Sequence, residues 1–340
     1  MTLGSYIGRR LLMLVIILAG VITITFFLSR VLPGSPVEMM IGYRPTAEEI
    51  EAAKIELGLD KSLPVQYLSF LVDAARGDFG KSLSTGRPVI EDIGQRAGAT
   101  LELTFTSMVL VLLIGIPLGV ISAVNREKPA DQFVRAVSIA GAALPVFMVG
   151  ILLQMLFEGQ LGWFPLQGRL SSSLLFDGSF EPRTGLYVID SLIAGSWSTF
   201  FDALAHLVLP VATLTLSTLP LVTRITRNMM MEVLEEEYIR TAHAYGVRAS
   251  YVHYRYALRA TLIPLITVAG LTYGYMLGGT VVVEFIFDWP GLGGYLVRSI
   301  SRNDFPATVG VTTVLAASYL LINLVVDLLY HAVDPRLRNT

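Results

Sequence analysis

Six stretches of this chain are apolar over a length that can cross a lipid bilayer as a helix. A hydrocarbon core of about 30 Å needs about 20 apolar helical residues. The stretches are residues 11–29, 101–124, 135–157, 206–223, 262–287 and 307–330. Because these nearly uncharged blocks match the length of a membrane-spanning helix, they predict an all-α integral membrane protein with about six transmembrane helices.

The composition agrees with this class and excludes others. Hydrophobic residues make up 53% of the 340 residues and charged residues 15%, with a mean hydropathy of +0.62. These values exclude a water-soluble enzyme of this length. The net charge of −2 offers no basic surface for nucleic acid. The absence of cysteine excludes disulfides, thiolate catalysis and cysteine-ligated metals.

Lysines and arginines in short loops mark the cytoplasmic side of a membrane protein. If both termini are cytoplasmic, the basic residues near span ends all fall on one face: Arg9, Arg10, Arg126, Lys128, Arg224, Arg227, Arg240, Arg248, Arg255, Arg259, Arg336 and Arg338. The first stretch could equally begin a secretory signal. It is too long for a typical signal core, and no small-residue cleavage site follows it, so we expect an uncleaved span.

This topology divides the chain into an N-terminal transmembrane helix (1–30), an extracytoplasmic region (31–99) and a core (100–340). The core contains an extracytoplasmic insert (158–205) and a polar cytoplasmic loop (228–261). Both extracytoplasmic segments are too long to be simple turns, so we expect them to fold.

The first extracytoplasmic region contains a short amphipathic pattern. Thr46 and Glu49 have the spacing of a capping box, an apolar stripe follows, and Gly58 can end a helix. We therefore predict a short amphipathic helix here. Such a helix either covers the outer mouth of the bundle or offers a ligand surface, and the two roles are compatible.

Enzyme motifs are absent from the sequence. Gly80-Lys81-Ser82 has the ending of a phosphate-binding loop, but Ala75 stands where that motif needs its first glycine, and no buried strand precedes it. The sequence also lacks a Gly-x-Ser-x-Gly elbow and a His-Glu-x-x-His pair. The four histidines show no metal-ligand spacing, apart from the pair His243 and His253. We expect a chain that is not an enzyme and binds no metal or cofactor itself.

Charged, proline and glycine residues within the spans are candidates for a transport role. Glu284 and Asp327 lie toward span ends, which favours an interface position or pairing within the bundle over a proton relay. Prolines kink helices and free backbone carbonyls, and small residues allow helices to approach closely. The candidate hinge or pathway residues are Pro117, Pro145, Pro210, Pro220, Pro264, Gly274 and Gly278. Simple packing is the alternative reading for the prolines. The glycine face, which begins at Gly270, is either a helix contact or a pore lining.

The polar segment 235–261 stands between two apolar spans. A short helical run ends at Gly246, and a second run leads to the next span, so we predict a helix, a tight turn and a helix. Its mixture of Tyr, His, Arg and small residues suits a helix that docks in a groove of another protein. A helix lying on lipid headgroups remains the alternative.

Within this segment, Arg240-Thr241-Ala242-x-x-x-Gly246 closely resembles the EAA loop of ABC-importer permeases, in the form found in dipeptide and oligopeptide permeases. The resemblance extends over nearly the whole chain and is closest to the B-type member of the permease pair. Further matching segments are Leu32–Pro36, Gly77–Ser82, Ala99–Leu103, Gly115–Gly119, Trp289–Gly293, Asn323–Tyr330 and Asp334–Arg336. The chain departs from the general pattern at Arg240, which replaces an acidic residue, and at Thr241, which replaces the first alanine.

The resemblance implies a type I ABC importer permease in the plasma (inner) membrane of a prokaryote. It implies two ABC ATPase subunits that bind ATP and Mg²⁺, a second permease subunit that is expected to be a paralogue, and an extracytoplasmic peptide-binding protein. It also implies that Ala242 and Gly246 lie in a cleft of the ATPase subunit. The expected coupling set is Arg240, Thr241, Ala242, His243, Tyr245, Gly246 and Arg248.

Dipeptides or oligopeptides are the cargo that the resemblance implies. Nickel and glutathione importers have similar permeases and remain alternatives. The chain has no histidine before His206, which favours peptide over nickel. An ion-coupled carrier would need charges near mid-membrane, and the sequence shows none there.

Overall fold

A computed structural model describes residues 3–31, 46, 48, 51, 52, 55, 60–176 and 180–333. Almost all of the regular structure in these residues is helical, and the β pairing within them is an isolated bridge between Lys81 and Pro88. The predicted all-α class is confirmed. The described part of the chain forms two compact units.

The first unit comprises residues 1–100, 183–186 and 290–320. Its elements are α1 (Leu3–Val31), α2 (Leu63–Ala75), the start of α3 (Val89–Val124), α12 (Leu292–Ser301) and the start of α13 (Phe305–Val333). The hydroxyls of Thr23 in α1 and Tyr67 in α2 lie 2.6 Å apart, and Phe26 stacks on Phe70. The large apolar side chains on the rest of α1 are mostly exposed, as expected for a helix whose surroundings are lipid.

The Gly-Lys-Ser tripeptide belongs to a polar network in this unit. The Ser82 hydroxyl donates to Asp304 Oδ2 at 2.5 Å, and the Ser84 N–H donates to the same oxygen at 3.0 Å. Both Ser82 and Asp304 are buried. The serine is therefore committed to an internal hydrogen bond, whereas a phosphate-binding loop would present it to a ligand.

A second buried carboxylate, Asp92, organises the start of α3. It accepts hydrogen bonds from Thr85 at 2.5 Å, Arg87 at 2.6 Å, Arg96 at 3.0 Å and Tyr295 at 3.0 Å. Burial raises the pKa of the Tyr295 hydroxyl to about 12, so the phenol keeps its proton and acts as the donor. These bonds join α3 to α12 and to the loop before α3.

The second unit comprises residues 101–182, 187–289 and 321–340. After the remainder of α3, its helices follow in the order α4 (Pro129–Ala143), α5 (Val146–Leu153), α6 (Ser172–Phe176), α7 (Tyr187–Ile193), α8 (Trp197–Leu234), α9 (Glu237–Ala244), α10 (Ala249–Tyr251) and α11 (Leu258–Ile286). Two π-helical turns occur, Gln154–Gln160 after α5 and Val252–Ala257 before α11. The long helix α8 packs against α4, α5, α7 and α11 and forms the centre of this unit.

The number of predicted spans is confirmed. In the described residues, the helices long and apolar enough to cross a membrane are Ile7–Leu28, Val89–Val124, Trp197–Leu234, Ala249–Ile286 and Phe305–Leu329. A sixth candidate is the pair Pro129–Ala143 and Val146–Gln160. Several of these helices extend well beyond the predicted stretches, because helix formation continues into polar residues where side chains still find protein contacts.

The third predicted span, residues 135–157, is not one continuous helix. The two helices of the pair are bent by 100° at a break between Ala143 and Val146. Leu144 is extended, with φ −90° and ψ 126°, and Pro145 caps the next helix. A residue before proline is pushed out of the helical region, and proline has no N–H to bond to the preceding turn.

The other candidate hinge prolines are placed differently from Pro145. Pro117 lies inside α3, Pro210 and Pro220 lie inside α8, and Pro264 lies inside α11, each within a helix that continues on both sides. Whether any of them acts as a hinge stays a prediction.

The glycine face of α11 is a helix contact at one end. A Cβ on Gly270 would come within 2.9 Å of Asn323 Oδ1 in α13, so glycine is what lets these two helices approach. Gly274 is half-buried, whereas Gly278 is exposed and has no neighbouring atom within 4 Å of a Cβ position. One end of the face therefore packs against α13, and the other end is open.

The predicted extracytoplasmic insert is attached to the second unit by a buried ion pair. Arg169 of the insert bonds to Glu102 in α3, and the Val188 N–H donates to the other Glu102 oxygen at 2.8 Å. The Arg169 guanidinium also lies over the rings of Tyr187 at 3.6 Å and Trp289 at 5.3 Å. The insert is thus folded, with its charge neutralised inside the protein.

The predicted amphipathic helix at residues 46–58 lies mainly outside the described residues. Glu48, Glu51, Ala52 and Ile55 are helical, and Thr46 is not. The Leu32–Pro36 and Asp334–Arg336 segments also lie outside the described residues.

A second buried ion pair joins three helices of the second unit. Asp131 at the start of α4 accepts two hydrogen bonds from Arg227 in α8, at 2.7 and 2.9 Å. The Ser122 hydroxyl of α3 and the Glu127 N–H complete its shell at 2.5 and 3.0 Å. Asp131 is fully buried, so its charge is stable only while these donors are present.

We expect Asp131→Asn to destabilise the chain by about 3–5 kcal/mol, because it leaves the Arg227 charge without its partner. The measurement is the thermal unfolding midpoint of the purified chain in detergent. Arg126→Gln, which removes an exposed ion pair with Glu235, is the matched control and should cost about 0–1 kcal/mol. Equal midpoints for the two variants would contradict the importance of the buried pair.

Candidate coupling surface

The segment between α8 and α11 contains the predicted helix, tight turn and helix. Helix α9 ends at Ala244, Gly246 adopts φ +77°, and α10 begins after Arg248. The Val247 N–H donates to the Ala242 carbonyl at 3.1 Å, and the Gly246 N–H donates to the His243 carbonyl at 3.0 Å. These two bonds form a Schellman motif, in which the residue with positive φ is normally glycine. The stop signal at Gly246 was therefore interpreted correctly.

One side of α9 is buried in the second unit. Ile239 is only 1% exposed, and it belongs to an apolar cluster that we call the anchor cluster: Val120, Ala123, Met230, Ile239, Val252 and Ala257. The cluster draws on α3, α8, α9 and the π-helical turn before α11. Ala242 and Val247, which the Schellman motif brings together, pack against its edge. The turn and the cluster together hold α9 in one orientation.

The opposite side of α9 and its turn is exposed. Six of the seven predicted coupling residues lie on it: Arg240, Thr241, His243, Tyr245, Gly246 and Arg248. Tyr245 is 84% exposed, which is unusual for an aromatic side chain in a monomer and typical of a contact residue at an interface. We call these six residues the coupling face.

Ala242 lies elsewhere. It is half-buried against the anchor cluster and faces the chain's own core. The resemblance had placed Ala242 and Gly246 together in the cleft of a partner. In this structure, the small side chain of Ala242 allows α9 to lie close to its support. Contact of Ala242 or Gly246 with a partner stays a prediction.

Acidic residues support the start of α9. Glu236 occupies the cap position and Glu237 the first turn, where negative charge interacts favourably with the helix dipole. Glu235 bonds to Arg126, in the loop after α3, at 2.9 Å. Burial, reinforced by the charge of Glu236, raises the pKa of the Tyr238 hydroxyl, so Tyr238 remains neutral at physiological pH.

The histidine pair does not form a metal site with other ligands. The rings of His243 and His253 lie 6.2 Å apart, edge to face. Across the part of the chain that the structure describes, no group of three or more His, Asp or Glu side chains is arranged to hold a metal ion. The arrangement fits a packing contact between the two helices of the coupling segment.

Sequence reasoning missed three residues that support this surface: Asp131, Arg227 and Ile239. The ion pair joins residues 96 positions apart, and no local periodicity connects them. The signal for Ile239 was available, because it is the apolar residue in the middle of a polar helix. A single large aliphatic residue within eight was too short a pattern to interpret alone.

In the residues that the structure describes, five to six helices are long and apolar enough to cross a membrane, and a short, exposed helix lies between two of them. This arrangement is that of a multi-pass membrane protein. The sequence pattern of the family described as "Binding-protein-dependent transport system inner membrane component" matches residues 115–339, and that of its N-terminal region matches residues 3–104. The chain belongs to this family of transport permeases, and it is a multi-pass protein of the inner membrane.

Relatives match this chain over nearly its full length. The probable D,D-dipeptide transport system permease protein of Escherichia coli (strain K12) is 44% identical over 99% of this chain and 98% of its own. The di/tripeptide transport system permease protein of Pseudomonas aeruginosa is 42% identical over 98% and 99%. A glutathione transport system permease protein of Salmonella typhimurium is 35% identical over 98% and 99%.

The fold also resembles a solved transporter. An inward-facing structure of the MetNI methionine ABC transporter contains a chain that aligns with a TM-score of 0.52 and 20% identity. The alignment covers 69% of this chain and 93% of that one. At this identity the similarity concerns the fold, and it confirms the predicted ABC importer permease architecture. The orientation of the termini stays a prediction.

We expect Ile239→Ala to loosen α9 from the second unit. Truncating a buried isoleucine costs about 2–5 kcal/mol, and here the loss falls on the contact that holds the helix. Hydrogen exchange at the amides of residues 237–247 should become faster, while exchange in the middle of α8 stays unchanged. Tyr245→Ala, at an exposed position of the same segment, is the control and should leave exchange as it is. Unchanged exchange in Ile239→Ala would show that α9 is held by other contacts.

Proposed function

We propose that this chain is one permease subunit of an ATP-driven importer of small peptides. Its partners would be a second permease subunit, two ABC ATPase subunits and an extracytoplasmic peptide-binding protein. The ATPase subunits would bind ATP and Mg²⁺, and this chain would have no enzymatic activity or cofactor of its own. The observation that carries the proposal is the coupling face. It is a small exposed surface on α9, and the buried side chain of Ile239 holds this helix against the second unit.

The contacts of the second unit provide a route for force. A partner that pulls on the coupling face would move α9, and the anchor cluster ties α9 to α3, α8 and the start of α11. The Asp131–Arg227 pair ties α8 to α4 in turn. Because packed cores move as rigid bodies, a displacement of α9 would be shared by these helices.

Small peptides are the cargo that the relatives favour. Two of the relatives described above are named for dipeptides and di/tripeptides, and they match almost the whole chain at more than 40% identity. Glutathione, itself a tripeptide derivative, is the second candidate because a permease named for it matches the same length at 35% identity. Nickel has less support, since the described residues offer no cluster of metal ligands.

The decisive experiment reconstitutes the complete complex in liposomes with its binding protein and a radiolabelled dipeptide. The proposal predicts uptake that requires ATP, is unaffected by an ionophore and is competed by unlabelled dipeptide. If glutathione competes and dipeptides do not, the cargo assignment changes to glutathione. Uptake that follows an ion gradient without ATP would overturn the importer mechanism.

We expect the double variant Tyr245→Ala, Arg248→Ala to reduce co-purification of the ATPase subunits about tenfold or more. Aromatic and arginine side chains at an interface commonly contribute 2 kcal/mol or more, roughly thirtyfold in affinity. The thermal midpoint of the chain itself should stay unchanged, because both side chains are exposed. Arg302→Ala, an exposed arginine in the first unit, is the control. Full recovery of the ATPase subunits with the double variant would argue against docking at this face.

A further inference from the structure

A large cavity lies in the second unit beside the anchor cluster. Its volume is about 1230 Å³, and it is lined mainly by α4 and the second half of α8, with Tyr275 of α11. Met231 both lines the cavity and packs against the anchor cluster. Pockets for small ligands typically have volumes of about 300–1,000 Å³, so this cavity has room for a small peptide and water.

The break between α4 and α5 forms part of the cavity wall. Leu144, Pro145 and Val146 all line it. Irregular backbone at membrane depth is tolerated where it is buried in protein or lines a water-filled cavity. In many transporters, helices interrupted in this way form the substrate site. The 100° bend therefore lies at the wall of the cavity, where its unpaired backbone groups can face water.

Four arginines line the cavity. Two of them are paired with acidic residues, and two are not. Arg227 is bonded to Asp131, and Arg126 is bonded to Glu235 and lies 3.9 Å from Glu127, the acidic residue among those that line the cavity. Among the described residues, Arg135 and Arg224 have no acidic partner, and both side chains are exposed. A guanidinium that faces a cavity without an acidic partner is available to bind an anion, and it does so through several N–H donors at once.

The remaining polar lining supplies hydrogen-bonding groups of other kinds. The Thr223 hydroxyl is buried, lines the cavity and has no hydrogen-bond partner. Ser138, Asn228 and Tyr275 also line it. A guanidinium binds a carboxylate in a bidentate manner, and neutral hydroxyl and amide groups suit the amide of a peptide bond.

We propose that this cavity is a cargo subsite in which Arg135 and Arg224 bind the carboxylate of a small peptide. The inference rests on the proposed function and deepens it, since it names the chemical group of the cargo that this chain recognises. The hydroxyl and amide groups of the lining favour a peptide over a lipid phosphate, which would need only the cations.

The test measures binding of alanyl-alanine to the full chain in nanodiscs by saturation-transfer NMR, with alanyl-alanine amide as the second probe. The amide lacks the carboxylate. We expect the wild type to bind the dipeptide about tenfold more tightly than the amide, because the carboxylate can form charge-assisted hydrogen bonds with the two guanidinium groups and the amide cannot. The double variant Arg135→Gln, Arg224→Gln should bind both probes equally weakly.

Two control variants keep this test interpretable. Arg76→Gln removes an exposed arginine of the first unit and should bind like the wild type. Arg135→Lys, Arg224→Lys keeps both charges and should retain part of the preference for the carboxylate, provided that the fold is intact. A preference that persists in the double glutamine variant would overturn the proposal.

A lipid headgroup is the rival occupant, and lipid composition separates the two. The proposal expects the same dipeptide affinity in nanodiscs of phosphatidylcholine alone and in nanodiscs that contain phosphatidylglycerol. The arginines would be assigned to lipid by two results together. Dipeptide binding would be lost in the anionic nanodiscs, and phosphatidylglycerol would be retained by the wild type but not by the double glutamine variant. ATP-driven uptake by the wild-type complex is measured separately. If uptake is normal and the binding preference is absent, the subsite is wrong and the importer function stands; if uptake is absent, the importer function itself is wrong.

Discussion

The anchor cluster is the contact that fixes the position of the coupling face. Helix α9 has only eight residues, too few to be stable in water alone, and most of its surface is polar. It keeps its place because Ile239 is buried among apolar side chains of α3, α8 and the turn before α11. Removing that contact would leave the coupling face without a fixed position, whatever the chemistry of its exposed residues.

Two buried ion pairs extend this support in different ways. Asp131 and Arg227 join α3, α4 and α8 near the cavity, whereas Glu102 and Arg169 fasten the insert to α3. Buried pairs contribute little net stability relative to apolar packing, but breaking one is costly because a charge is left alone. Such pairs therefore favour one arrangement of helices over its alternatives. In a permease, whose helices must move without separating, this is a useful property.

The sequence predicted the class, the number of spans and the helix-turn-helix of the coupling segment, because bilayer-length apolar blocks and a glycine stop are local signals. It could not predict the 100° bend, since proline occurs at five candidate positions and only Pro145 breaks its helix. At Pro117 and Pro210 the helix continues through the proline. Nor could it predict that Ala242 packs against the anchor cluster. The resemblance rests on a sequence motif, and a motif does not show which side of α9 is buried.

The cavity was also beyond the sequence. Arg224 was interpreted as a topology signal for the cytoplasmic side, and that interpretation is compatible with a second role. Only the fold shows that two of the four cavity arginines lack a partner among the described residues. A basic residue at a span end can thus be a topology signal alone or also an anion-binding group, and the presence of an acidic neighbour distinguishes the two.

The central claim is that α9 moves as one body with the helices that support it. Because the chain has no cysteine, spin labels can be attached directly to Leu216→Cys in α8 and Tyr245→Cys at the coupling face, both exposed positions. The distance between the labels would be measured by pulsed electron spin resonance in the assembled transporter, with and without trapped ATP. We predict the same distance distribution in both states. A shifted distribution would show that α9 moves independently of α8 and would contradict the account.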